Sequence, residues 1–109
     1  MPLEKTIKQK ILKYLNGLPT CYARGKHSSP FSKGWPDVLG SLSGRTLAVE
    51  VKQPGKGATK LQEAEQVKWF KAGTIVGVVT SVDDVRKILE CALLVPLSVP
   101  GGDAPIRRG

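Results

Sequence analysis

The sequence is poor in the residues that build many protein sites. Its 109 residues include one histidine, His27, and two cysteines, Cys21 and Cys91. Two cysteines make no disulfide framework. Neither stands at metal-ligand spacing from the other or from His27, which excludes a zinc site of that kind. Both are expected as free thiols in a reducing cytosol. No apolar run approaches the roughly 18 residues of a membrane span. The lysine-studded amino-terminal segment does not read as a signal peptide. No lysine-rich amphipathic helix carries a strong aromatic face, which argues against a membrane surface as partner. The glycine-bearing stretch 53–60, QPGKGATK, lacks the G-x-x-x-x-G-K-[ST] spacing, so no nucleotide cofactor is expected. There is no internal repeat.

Acidic residues are also scarce. Nine Asp and Glu face 17 Lys and Arg, a formal charge of +8. That excess favours a polyanionic partner. The length suits one compact domain with a modest core. We place it at residues 1–95. From Pro96 onward the chain turns to Pro, Gly and Ser, and the segment 96–109 is expected to be poorly ordered.

Residues 2–16 read as a helix closed by Gly17, with Leu3, Ile7, Ile11, Tyr14 and Leu15 in one apolar stripe. Glu4 falls inside that stripe. A carboxylate aimed at a core is costly unless it is paired or metal-bound. In a first turn, however, it can also swing to solvent and favour the helix dipole. Residues 20–24 read as a short strand, followed by the polar loop GKHSSPFSK. Arg24, Lys26, His27 and Lys33 there are candidates for phosphate contact, although a lone loop histidine is commonly surface decoration. Lys56 and Lys60 make the 53–60 stretch a second cationic loop, read as facing DNA at the sheet edge. Thr59 caps a helix running to about Ala72, with an untidy apolar pattern. Residues 74–80 read as a buried strand. Ser81 and Asp84 suggest a capping box before a last helix with a clean stripe from Val82 to Leu93.

The chemistry concentrates between Gly34 and Lys52, GWPDVLGSLSGRTLAVEVK. Two β-runs flank a Ser43-Gly44 turn and read as a hairpin. Side chains two apart on a strand share a face, so Glu50 and Lys52 point alike, and Asp37 at the mouth of the partner strand can reach that face. Two carboxylates and an ammonium would converge there. Carboxylate oxygens suit Mg²⁺ or Mn²⁺, and a lysine beside such an ion can orient a water. An isolated Glu-x-Lys is more often a strand-edge ion pair, and a Pro-Asp is often a turn. The hairpin between them makes the combination more specific.

Pro36-Asp37 with Glu50-Val51-Lys52 resembles the PD-(D/E)XK nuclease signature, and more narrowly the VRR-NUC family, with its G-x-P-D, short hairpin and E-V-K. The resemblance runs from Glu4 to about Leu89. It implies an α/β restriction-endonuclease-like core, a mixed central sheet of about four strands flanked by helices. It implies that Asp37, Glu50 and Lys52 are catalytic. It also implies that Glu4, Asp37, Glu50 and the Val51 carbonyl hold Mg²⁺ or Mn²⁺, with Gln62 in support. The function it implies is a metal-dependent endonuclease cleaving branched DNA, four-way junctions first and flaps or nicks second. Cleavage would leave a 5′-phosphate and a 3′-hydroxyl, in the cytoplasm of a bacterial cell or phage-infected host. Paired cuts across a junction call for a homodimer, and the apolar stretch 92–99, ALLVPLSV, reads either as its interface or as a segment folded back over its own domain. The alternative from another class is an inactive, basic DNA-binding module on a nuclease fold.

Overall fold

The computed structural model describes residues 3–26 and 34–93. Along them run α1 (Glu4–Asn16), β1 (Cys21–Gly25), β2 (Val38–Leu42), β3 (Arg45–Val51), α2 (Lys60–Lys71), β4 (Ile75–Val79) and α3 (Val82–Leu93). The strands form one sheet in the order β1-β2-β3-β4. The first two pairings are antiparallel and the third is parallel. This is the α/β mixed sheet flanked by helices that the sequence led us to expect. The expected 96–109 tail, His27, Lys33 and most of the 92–99 stretch lie outside the described residues.

The β2–β3 hairpin turns on Ser43 and Gly44, both at positive φ (51° and 86°). A two-residue loop with both residues left-handed matches the right-handed twist of its strands. It fixes the register Leu42↔Arg45 through Val38↔Val49. Between β3 and β4 the chain needs a crossover, because parallel neighbours cannot be joined by a tight turn. Helix α2 supplies it.

One face of the sheet carries the core. Leu47, Val49 and Val51 of β3 meet Val38, Leu42, Ala23, Ile75 and Val79 of the other strands. Ile7, Ile11 and Leu15 of α1 and Val85 and Leu89 of α3 cover them. Leu3 does not join this stripe. It is the N-cap of α1 in extended backbone, and it is exposed. Gly77 makes room for α3, because a Cβ there would collide with the Ile88 side chain. At the open edge of β1, Asn16 donates from Nδ2 to the Ala23 carbonyl (3.0 Å) and accepts the Ala23 N–H at Oδ1 (2.9 Å). An edge strand otherwise offers these groups to another chain.

The opposite face is covered by α2, which lies over β3 and β4. Its pattern is inverted. Gln62, Glu65, Gln66 and Trp69 take the half-buried side, while Ala64, Val67 and Phe70 are exposed. No residue of α2 is fully buried, which accounts for its untidy sequence pattern. Strand β4 is an edge strand with Val78 exposed, not the fully buried strand expected. The Ser81 hydroxyl does accept the Asp84 N–H (3.1 Å). The Asp84 carboxylate reaches one residue further than a capping box requires, taking the Thr80 N–H (2.9 Å) and hydroxyl (3.0 Å).

Candidate active site

Strand registers assemble the site. Gly25 pairs with Val38 and Val38 with Val49. The next positions along, Lys26, Asp37 and Glu50, therefore form a row across three neighbouring strand ends. The Lys26 N–H donates to the Asp37 carbonyl (3.0 Å), extending the ladder. The Lys26 ammonium donates to the Trp35 carbonyl (3.2 Å) and stands 3.8 Å from Asp37 Oδ1. Asp37 Oδ2 accepts the Val51 N–H (2.9 Å). That bond aims the Asp37 carboxylate at the end of β3. Beyond it, the Lys52 N–H donates to the Val79 carbonyl (2.9 Å) and carries the parallel pairing one residue past β3.

Glu50 lies on the α2 side of β3 and is 0% exposed. Gln62 Nε2 donates to its Oε1 (3.0 Å). The amide orientation is set by the helix cap: Gln62 Oε1 accepts the Thr59 N–H (2.9 Å), and the Thr59 hydroxyl accepts the Gln62 N–H (3.1 Å). With its oxygen committed to the cap, Gln62 must turn its NH₂ toward Glu50. The other carboxylate oxygen, Glu50 Oε2, is buried and has no hydrogen-bond partner. Burial pushes the Glu50 pKa up to about 8, and the neighbouring Asp37 charge adds to the shift, while Lys26 and Lys52 pull it down. A buried carboxylate with an unmatched oxygen beside a second carboxylate is an unfavourable arrangement unless a cation joins it.

The site opens into a depression of about 300 Å³ lined by Glu4, Lys5, Lys8, Lys26, Asp37 and Val51. Glu4 thus faces the same space as Asp37. Even so, among the described residues no three acidic, histidine or cysteine side chains are drawn close enough to hold a metal ion. A larger hollow of about 470 Å³ beside Lys10, Lys13 and Tyr14 contains no carboxylate.

The cationic residues divide differently from expectation. Lys26 belongs to the acidic row itself rather than to an approach loop. Arg24 lies on the exposed face of β1 and donates from Nη1 to the Tyr22 hydroxyl (3.1 Å). Lys56 and Lys60 are exposed after β3. Because β3 is an interior strand, their loop leaves the end of the sheet beside the site, not its edge. Two residues escaped the sequence reading, Lys5 and Lys8. The Lys8 ammonium donates to the Lys26 carbonyl (3.4 Å), and Gly25 leaves room for its stem, since a Cβ there would stand 2.5 Å from Lys8 Cε. The available signal was spacing: Lys8 follows Glu4 by four and shares its helix face.

No family model and no curated protein matches the sequence. Solved structures do match. One, a VRR_NUC domain, has a TM-score of 0.65 and 29% identity, covering 82% of this chain and 97% of its own. A second, a VRR_NUC domain protein, has a TM-score of 0.67 and 15% identity, covering 85% and 89%. The fold is that of the restriction-endonuclease-like nuclease domains. With Pro36-Asp37 and Glu50-Val51-Lys52 set at adjoining strand ends, the chain is similar to VRR_NUC domains in fold and in this motif.

Proposed function

We propose that the chain is a metal-dependent endonuclease that hydrolyses phosphodiester bonds in branched DNA. The observation that carries this reading is the Lys26–Asp37–Glu50 row, with its buried, unmatched Glu50 Oε2. Two hard carboxylates and a free buried oxygen suit a divalent cation. Asp37, Glu50 and the Val51 carbonyl would hold Mg²⁺ or Mn²⁺, with Glu4 joining from α1. A bound ion of this kind makes a water more acidic and neutralises charge on a phosphoryl oxygen.

The chain's own groups do the rest. Gln62 holds the Glu50 carboxylate through Oε1 and leaves Oε2 without a hydrogen-bond partner. Lys52 orients the attacking water. Lys5, Lys8 and Lys26 draw the phosphate to the depression, and Arg24, His27, Lys33, Lys56 and Lys60 hold the flanking backbone. In-line attack then yields a 5′-phosphate and a 3′-hydroxyl. Four-way junctions are the first substrate of this reading, flaps or nicks the second. A homodimer in a reducing cytoplasm places two such sites across a junction.

The test is cleavage of labelled junction, flap and duplex DNA with Mg²⁺, Mn²⁺ or EDTA. Asp37→Ala, Glu50→Ala and Lys52→Ala are each expected to abolish cutting while DNA binding persists. Cutting by Asp37→Ala near the parent rate would refute the assignment. No cutting by the parent, with intact DNA binding, would leave the inactive binding module.

A further inference from the structure

Among the described residues, the face of the sheet that carries Glu50 is only half covered. Helix α2 lies over β3 and β4. Over β1 and β2, Tyr22, Arg24 and Ser41 are exposed, and Tyr22 reaches 62%. Tyr22 and Arg24 alternate with the buried Ala23, so both point away from the core. The registers make this face a set of parallel rows. Tyr22 pairs with Ser41, and Arg24 pairs with Leu39. The next row in the same direction is Lys26, Asp37 and Glu50. Successive rows are two residues apart, about 7 Å. The strand thus leads from the acidic site to a guanidinium and then to an aromatic ring, at steps comparable to the repeat of an extended nucleotide chain.

Resting on the nuclease reading, we infer that this face binds unpaired nucleotides flanking the scissile phosphate, with Arg24 on the backbone and Tyr22 stacked on a base. Stacking on an aromatic ring requires a bare base face, which an intact duplex offers only at its ends. A single-stranded flank at a flap, gap or frayed branch offers it directly. The net charge of +8 suits the polyanion. The hydrogen bond from Arg24 to the Tyr22 hydroxyl holds the two side chains together and leaves the remaining guanidinium donors for a phosphate. The substrate class is DNA with an unpaired segment next to the cleavage point, which ranks flaps and open branches above fully paired junctions.

The experiment uses the full chain in EDTA, so that binding is read without cutting. Fluorescein-labelled single strand and blunt duplex of equal length are titrated by anisotropy, and a single strand bearing 2-aminopurine reports stacking. Tyr22→Ala should weaken single-strand binding on the order of ten-fold and abolish the 2-aminopurine quench, with duplex binding unchanged. Tyr22→Phe and Tyr22→Trp should keep both. Equal binding of parent and Tyr22→Ala to single strand, or an equal loss on duplex, would overturn the platform while leaving the nuclease reading in place. Absence of any DNA binding by the parent would overturn both. The exposure of Tyr22 lets Tyr22→Ala fold, which far-UV circular dichroism checks.

Discussion

Glu50 concentrates the site's energetics in one side chain. Its carboxyl has an ordinary pKa of 4.5 when unfolded and about 8 when folded, because burial and Asp37 disfavour the anion. Between those values the folded chain holds a proton that the unfolded chain has lost. Stability from this group is therefore complete below about pH 4.5, falls as pH rises toward 8, and is lost above it. Each unit of difference is worth about 1.4 kcal/mol. In EDTA, the urea midpoint should be lower at pH 8.5 than at pH 5.5, and Glu50→Gln should remove most of that drop. Mg²⁺ or Mn²⁺ should raise the parent's midpoint more at pH 8.5, where the carboxylate is free to bind, and should do little for Glu50→Gln. A midpoint drop of the same size in both proteins would mean that other groups cause it. The neighbouring Asp37 carboxylate has the Val51 N–H and the nearby Lys26 ammonium as partners.

Two glycines show how the elements approach one another. At Gly40 a Cβ would meet the Tyr22 carbonyl and stand 2.8 Å from the Ala23 Cα, both backbone of β1. Backbone cannot step aside without opening the β1–β2 ladder. At Gly77 the obstacle is the end of the Ile88 side chain, which can rotate or be shortened. Overpacking commonly costs about 1–3 kcal/mol. Gly40→Ala and Gly77→Ala should both lower the denaturation midpoint, but only the second should be rescued by a smaller partner, in Gly77→Ala with Ile88→Ala. Failure of that rescue would show that the collision is not with Ile88. The two sheet faces differ in the same way. Leu89→Ala, in the core between α3 and the sheet, should cost about 2–5 kcal/mol. Phe70→Ala, on the 67% exposed side of α2, should change stability by about 0.5 kcal/mol or less.

For the molecule as a whole, the formal charge of +8 predicts salt-dependent binding to DNA. Each duplex phosphate neutralised contributes about −0.9 to the slope of log K against log salt. If Arg24, Lys26, Lys33, Lys56 and Lys60 all make contacts, the slope should be at least about −4. Lys5 and Lys8 at the depression would steepen it further. A slope near zero by anisotropy would argue for a partner other than nucleic acid. Sedimentation at micromolar protein checks the homodimer. A monomer mass would remove the symmetry argument for paired cuts at a junction and favour the flap substrates to which the Tyr22 row points.

The local signals in the chain decided most of the fold. The Ser43-Gly44 turn, the β-runs on either side and the stripe of α3 depend on neighbours a few residues away, and each element formed where those signals stood. The pairing of Asp37 with Glu50 was legible for the same reason, because a two-residue hairpin loop leaves only one register. Other features depended on contacts between distant segments. That Glu50 Oε2 is buried without a partner, and that the Gln62 amide is turned by its own helix cap, follow from α2 seating its polar side on the sheet, against its apolar pattern. That Lys26 joins the acidic row follows from the pairing of β1 with β2, and that Lys5 and Lys8 line the opening follows from where the first turns of α1 lie. Tyr22 and Arg24 carry no local mark of function. Their exposure on the half of the sheet beside α2, among the described residues, sets them in line with the site, because side-chain periodicity specifies a face but not what lies over it.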